Sequence, residues 1–170
     1  MHWDGNAWSV IPVQGSGGLS SERLTAVSGS ASNDVWAVGQ GKGIFTNRTF
    51  AKIHHWDGQR WTEKVCRAVS ASNPPGDYEG GGPDAYFTGV AAAASNDVWA
   101  VGANGSGPMI LHWDGRAWTT VTHPRAFPNS AVLRGVTSKG GSAWSVGFEI
   151  VFDSSGSVAP DRTLVHKYTP

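Results

Sequence analysis

Three short phrases in this 170-residue chain set two indoles around an aspartate and a glycine. They are HWDGNAW at residues 2–8, HWDGQRW at 55–61 and HWDGRAW at 112–118. The paired rings are Trp3 with Trp8, Trp56 with Trp61, and Trp113 with Trp118. An indole offers a flat apolar face on which the C–H face of a sugar stacks, and its N–H donates to a hydroxyl. Carbohydrate binding at these six positions is the chemistry the motif invites. Its plainer use is cross-strand aromatic contact that stabilises a hairpin. The aspartates Asp4, Asp57 and Asp114 then serve the turn, as Asp34 and Asp97 do elsewhere.

Other reactive side chains are more scattered. His2, His55 and His112 precede a tryptophan, and His166 falls in a similar phrase, HKY. One copy per repeat spreads these rings too far apart to converge on a metal ion, so a hydrogen bond to a neighbouring loop is expected instead. His54 and His55 are adjacent, and adjacent residues of a strand point to opposite faces. A Pro- and Gly-rich insert at 70–85 carries Asp77, Tyr78, Glu79 and Asp84, whose carboxylates could do acid–base work if they faced one another. Phe45 and Phe152 stand near the starts of two further loops and offer an apolar contact for a ligand or partner. Residues 47–49, NRT, fit a glycosylation sequon, a match that arises often by chance. No Ser-His-Asp order, phosphate loop or metal-ligand spacing emerges.

Composition narrows the class. Thirteen basic and thirteen acidic side chains cancel, with no long basic run, so neither nucleic acid nor a membrane surface is expected as a partner. The single cysteine, Cys66, allows no intrachain disulfide, and nothing in its neighbourhood marks it as a nucleophile. No stretch approaches the ~20 apolar residues of a membrane helix. Residues 1–8 do not read as a signal peptide, so the chain is expected to be cytoplasmic as written, or a secreted form with its signal removed. Twenty-three glycines and nine tryptophans, without sustained Leu/Glu/Lys patterning, point to an all-β fold.

The elements that must hold the indoles follow from a second repeat. SASNDVWAVG at 30–39 returns as AASNDVWAVG at 93–102 and, degraded, as KGGSAWSVG at 139–147. Each copy follows a short apolar stretch (LTAVSG, FTGVAA, LRGVTS) and leads to a histidine with an aromatic. One repeat reads as four strands, at 24–30, 34–40, 51–57 and 59–65, with Asn33-Asp34 and Asp57-Gly58 at turns. Four-stranded antiparallel units of about 40–50 residues are the signature of β-propeller blades. Three are expected, at about 24–65, 86–122 and 131–170, within one domain. Trp36, Trp99 and Trp144 lie mid-strand and are expected to pack between blades. Arg134 takes the place of Thr25 and Thr88 in the innermost strand, where it could bind an anion in a central channel or bond to facing carbonyls.

The first hairpin, at 1–13, reads as a fourth strand without its own blade, and DRTLVHKYTP as a third strand without a fourth. Three blades are too few for a ring. Closure of a six-bladed ring by a homodimer, with the N-terminal strand completing a blade, is expected over the alternative of a fragment of a longer propeller.

The SASNDVWAVG…HWDGxxW pattern resembles a bacterial family of β-propeller repeats grouped with kelch and galactose-oxidase-like propellers, and the resemblance covers nearly the whole chain. That implies the fold and is almost silent on function. WDGNAW, WDGQRW and WDGRAW also resemble a segment of small six-bladed fucose-binding lectins, in which such tryptophans help form sugar sites between blades. The glutamate those lectins carry before the first tryptophan is Ile53 or Ile110 here, and no matching arginine is evident. The expected function is a non-enzymatic, lectin-like binding module without a cofactor or metal, its ligand held by Trp3, Trp8, Trp56, Trp61, Trp113, Trp118 and Arg134. The alternatives are a small enzyme (a cyclase, isomerase or hydrolase) working at the channel mouth through Asp77, Glu79, Arg134 or histidines, and a protein-interaction scaffold.

Overall fold

A computed structural model describes residues 1–13, 19–44, 48–64, 84–105, 107–123, 130–153 and 155–169. The described residues hold thirteen strands and no helix. A short hairpin, β1 (His2–Trp3) and β2 (Trp8–Ser9), comes first. The first blade follows as β3 (Leu19–Ala31), β4 (Asp34–Gly43), β5 (Thr49–Trp56) and β6 (Trp61–Glu63). The second is β7 (Ala85–Ala94), β8 (Asp97–Asn104), β9 (Gly107–Trp113) and β10 (Trp118–Thr120). The third is β11 (Ala131–Lys139), β12 (Ser142–Phe152) and β13 (Val158–Tyr168). Each sheet is an antiparallel meander in sequence order, the arrangement of consecutive β-propeller blades.

Alternation along the strands decides which blade each side chain meets. On β4, Trp36 and Val38 point to the second blade, where they join Val98, Ala100, Leu111 and Trp118 in one core. On β8, the intervening Trp99 and Val101 point the other way, into a second core with Leu133, Ala143 and Tyr168 of the third blade. The middle blade is thus covered on both faces, which is why VWAV at 98–101 is apolar at every position.

The glycine closing each VWAVG or WSVG phrase has a steric reason. The innermost strand of every blade carries a bulge, at Leu24/Ala26, Phe87/Gly89 and Leu133/Gly135. The bulge drives a carbonyl against the neighbouring strand. A Cβ on Gly39 would lie 2.0 Å from the Arg23 carbonyl oxygen, one on Gly102 2.0 Å from that of Tyr86, and one on Gly147 2.1 Å from that of Val132. Only glycine allows that approach.

The strands depart from the expected bounds in two ways. β3 begins at Leu19 because polar residues 20–23 continue the ladder opposite Lys42, Gly41 and Gln40. β6 and β10 are only three residues each, as outer-edge strands. The first hairpin does not supply a fourth strand to the third sheet in this chain. Among the described residues β1 pairs only with β2, and the imidazole of His2 sits 6.4 Å from the ring of Trp56 in the first blade.

Candidate functional site: the tryptophan hairpins

The three hairpins share one geometry. Asp4 accepts the backbone N–H of Asn6 at 2.7 Å and of Ala7 at 2.8 Å. Asp57 accepts those of Gln59 and Arg60, each at 2.9 Å, and Asp114 those of Arg116 and Ala117, each at 2.8 Å. Gly5, Gly58 and Gly115 follow with φ of 103°, 94° and 93°, the left-handed conformation that glycine adopts without strain. Backbone N–H groups of Ala7, Arg60 and Ala117 are the leading cause that holds the three carboxyls below the usual aspartate range. The turn brings each indole pair to a fixed tilt. Centroids are 5.6 Å apart for Trp3 and Trp8, and 5.8 Å for both Trp56–Trp61 and Trp113–Trp118.

Each pair forms a slot, and the second blade shows what fills one. Trp36 of the first blade enters between Trp113 and Trp118, 5.3 Å from each ring, and is only 2% exposed. The knob is itself held from behind. Asp34 accepts the Trp36 N–H at 3.1 Å and His55 Nε2 at 2.7 Å, and bonds Ser30 as well. Burial would raise the Asp34 carboxyl, but the bonds from Ser30, His55 and Trp36 outweigh it and hold it low. Asp97 repeats the arrangement with Trp99 at 2.8 Å and His112 at 3.0 Å. His55 and His112 thus orient the knob of their own blade.

The third blade has lost this network. Strand register sets Lys167 opposite Trp144 and Tyr168 opposite Ala143. Lys167, not His166, therefore stands where His55 and His112 do, and Ser142 replaces the aspartate. Tyr168 takes the place of Trp113 and stacks on Trp99 at 5.8 Å, with its hydroxyl pKa raised by burial. Trp144 is left 47% exposed, with the Lys167 ammonium 5.8 Å from its ring.

A threonine marks the same inter-blade contact at the bulge. Thr25 donates to the Phe87 carbonyl of the second blade at 2.8 Å, and Thr88 donates to the Leu133 carbonyl of the third. Arg134 holds the matching place in the third blade. It is exposed, its guanidinium 5.4 Å from the Phe148 ring centroid.

The other hairpins differ in what covers them. Trp56 and Trp61 line a cleft of about 520 Å³ on the outward face of the first blade, floored by Val35 and Ala37. Met1, His2, Ile11 and Val13 of the N-terminal segment also line it. Trp56 is buried and donates to the Ser32 carbonyl at 3.1 Å, as Trp113 does to Ser95 at 3.1 Å. Trp118 is buried, its N–H without a partner among the described residues. Trp3 and Trp8 are open, at 48% and 65% exposure.

Several groups gave no sequence signal as a set. On the outward face of the first blade, buried Lys52 pairs with Glu63 at 2.6 Å and fully buried His54 bonds Glu22. The second blade has Met109 and Leu111 at the positions of Lys52 and His54. His123 and His166 meet between the second and third blades, their Nε2 atoms 3.0 Å apart. Among the described residues, no three His, Cys, Asp or Glu are grouped to hold a metal ion. Asp84 accepts the Thr49 N–H at 2.9 Å, and Phe152 is exposed. Phe45, Asn47, Cys66, Asp77, Tyr78 and Glu79 lie outside the described residues.

No protein-family model matches this chain, and no curated protein does. Among solved structures it is similar to a chain described as YCF48 bound to D1 peptide, at 20% identity and a TM-score of 0.47. The match covers 91% of this chain and 45% of that one, so this chain spans less than half of its length.

Proposed function

We propose that this chain is a non-enzymatic β-propeller binding module of the lectin type, and that it takes carbohydrate at the Trp3–Trp8 hairpin. One observation carries the reading. Of the three indole pairs with common geometry, this one keeps both rings open, at 48% and 65% exposure. Trp113 and Trp118 are spent on Trp36, and Trp56 is buried in the first blade. Two rings tilted by 48° make a shallow V that fits the apolar face of a pyranose. The Asp4 carboxylate, kept ionised by the turn N–H groups, lies between them in sequence and is an acceptor for a sugar hydroxyl.

A glycan array read with the full chain and with Trp3→Ala and Trp8→Ala tests this. Both positions are exposed, so the variants keep the fold. The expected result is a defined set of bound glycans, lost in both variants. No glycan signal from folded protein, or a signal that both variants retain, overturns the proposal.

A further inference from the structure

Two blade contacts inside the chain follow one pattern, and each outer blade displays an unused half of it. In the first contact Trp36 enters the Trp113–Trp118 slot while Thr25 bonds the Phe87 carbonyl. In the second, Trp99 stacks on Tyr168 while Thr88 bonds the Leu133 carbonyl. The third blade presents the knob half outward, with Trp144 47% exposed, Val146 48%, Val165 57%, and Arg134 at the threonine position. The first blade presents the slot half outward: Trp56, Trp61, Val35 and Ala37 around the cleft, with Leu24 in the place of Phe87 and Leu133.

We propose that these two faces bind each other between copies, Trp144 of one chain entering the Trp56–Trp61 cleft of a second. The occupant is a second copy because both halves belong to this chain and continue an interface it already makes twice. Arg134 of one copy then approaches Leu24 of the other. Two residues before Leu24, on the same strand, Glu22 holds a buried carboxylate oxygen with no hydrogen-bond partner among the described residues, and a guanidinium supplies the missing donor. Knob and slot are different patches, so the contact is head-to-tail and closes only as a ring. The three described blades of two copies make six, within the four to eight blades of known rings. Residues of the N-terminal segment now wall the cleft, and every residue from 1 to 10 is exposed, so this segment moves aside as the second copy docks. The inference is independent of the carbohydrate reading, which sits on Trp3 and Trp8.

Sedimentation equilibrium of the full chain tests it, with a knob variant, Trp144→Ala, and a slot variant, Trp61→Ala. The expected result is a closed dimer, weakened about tenfold or more by either substitution. Val146→Glu is a second knob-side variant, and circular dichroism confirms that each variant folds. Mixing gives the deciding result. Two variants that are each monomeric associate with each other, because one intact knob meets one intact slot. A full chain that stays monomeric, a dimer indifferent to Trp144→Ala and Val146→Glu, or a mixture that does not associate overturns the proposal. So does an open ladder of higher species in place of a dimer.

Discussion

Replacing Trp36 by alanine removes the knob from the one slot that the chain fills completely. The ring is 2% exposed and sits 5.3 Å from both Trp113 and Trp118 and 4.3 Å from His55. Truncating a buried tryptophan costs about 3–5 kcal/mol through lost transfer energy and the residual cavity. Aromatic pairs add about 0.5–1.5 kcal/mol each beyond area, which favours the upper end of that range. The lost N–H bond to Asp34 adds little, since His55 and Ser30 still satisfy the carboxylate. A loss of about 4–5 kcal/mol would consume much of a domain's usual ~5–15 kcal/mol. Urea denaturation followed by far-ultraviolet circular dichroism measures it, with Trp8→Ala as the control. Trp8 is 65% exposed, and its loss should stay within about 0.5 kcal/mol. A Trp36→Ala cost below about 2 kcal/mol, or equal costs for the two, refutes the knob-and-slot reasoning.

Gly102→Ala should be among the most damaging single-atom additions, because its Cβ meets backbone on both near sides, Tyr86 O at 2.0 Å and Phe87 Cα at 2.8 Å. We expect a loss above the ~1–3 kcal/mol of ordinary overpacking, read from the same denaturation curves, and a smaller loss would mean that the bulge can flatten. Acid should also destabilise the fold in a defined window. Backbone N–H groups hold the folded pKa values of Asp57 and Asp114 below the usual aspartate value, so their stabilisation is complete above the unfolded pKa and is lost as pH falls through the folded one. The urea midpoint should therefore fall below about pH 4, and the double variant Asp57→Asn/Asp114→Asn should flatten that limb. An unchanged limb would show that the turn carboxylates are not coupled to folding.

The blade repeat was legible because apolar runs, turn residues and paired aromatics recur together, and propensity agrees with pattern at each step. What stayed hidden has specific physical causes. Matching His166 to His55 and His112, the histidines before the tryptophans, places it opposite Trp144, whereas the ladder places Lys167 there. A slip of one residue turns a strand's faces over, and sequence alone did not fix that register. The six hairpin tryptophans look equivalent as letters. They differ only in whether another blade lies against them, which is a tertiary fact. Arg134 was conspicuous as a departure from threonine, but its meaning depended on the carbonyl bonds of Thr25 and Thr88 across the blades. The pairs Lys52–Glu63 and Glu22–His54 join residues from separate strands, and nothing in their spacing announces them.

Those buried pairs bear on why the two outer faces are not interchangeable with the inner ones. The slot face of the second blade has Met109 and Leu111 beside the tryptophans. The slot face of the first blade keeps the same tryptophans but carries Lys52 and His54 in those places. Burying an ion pair gains little net stability, yet leaving one member unpaired is costly. The Lys52–Glu63 pair is satisfied within its own blade, so covering this face does not require a charged partner. Any packing that separated Lys52 from Glu63 would be penalised. The tryptophan slot is therefore common to the first two blades, while the row of Lys52 and His54 sets the first blade's slot face apart from the second's.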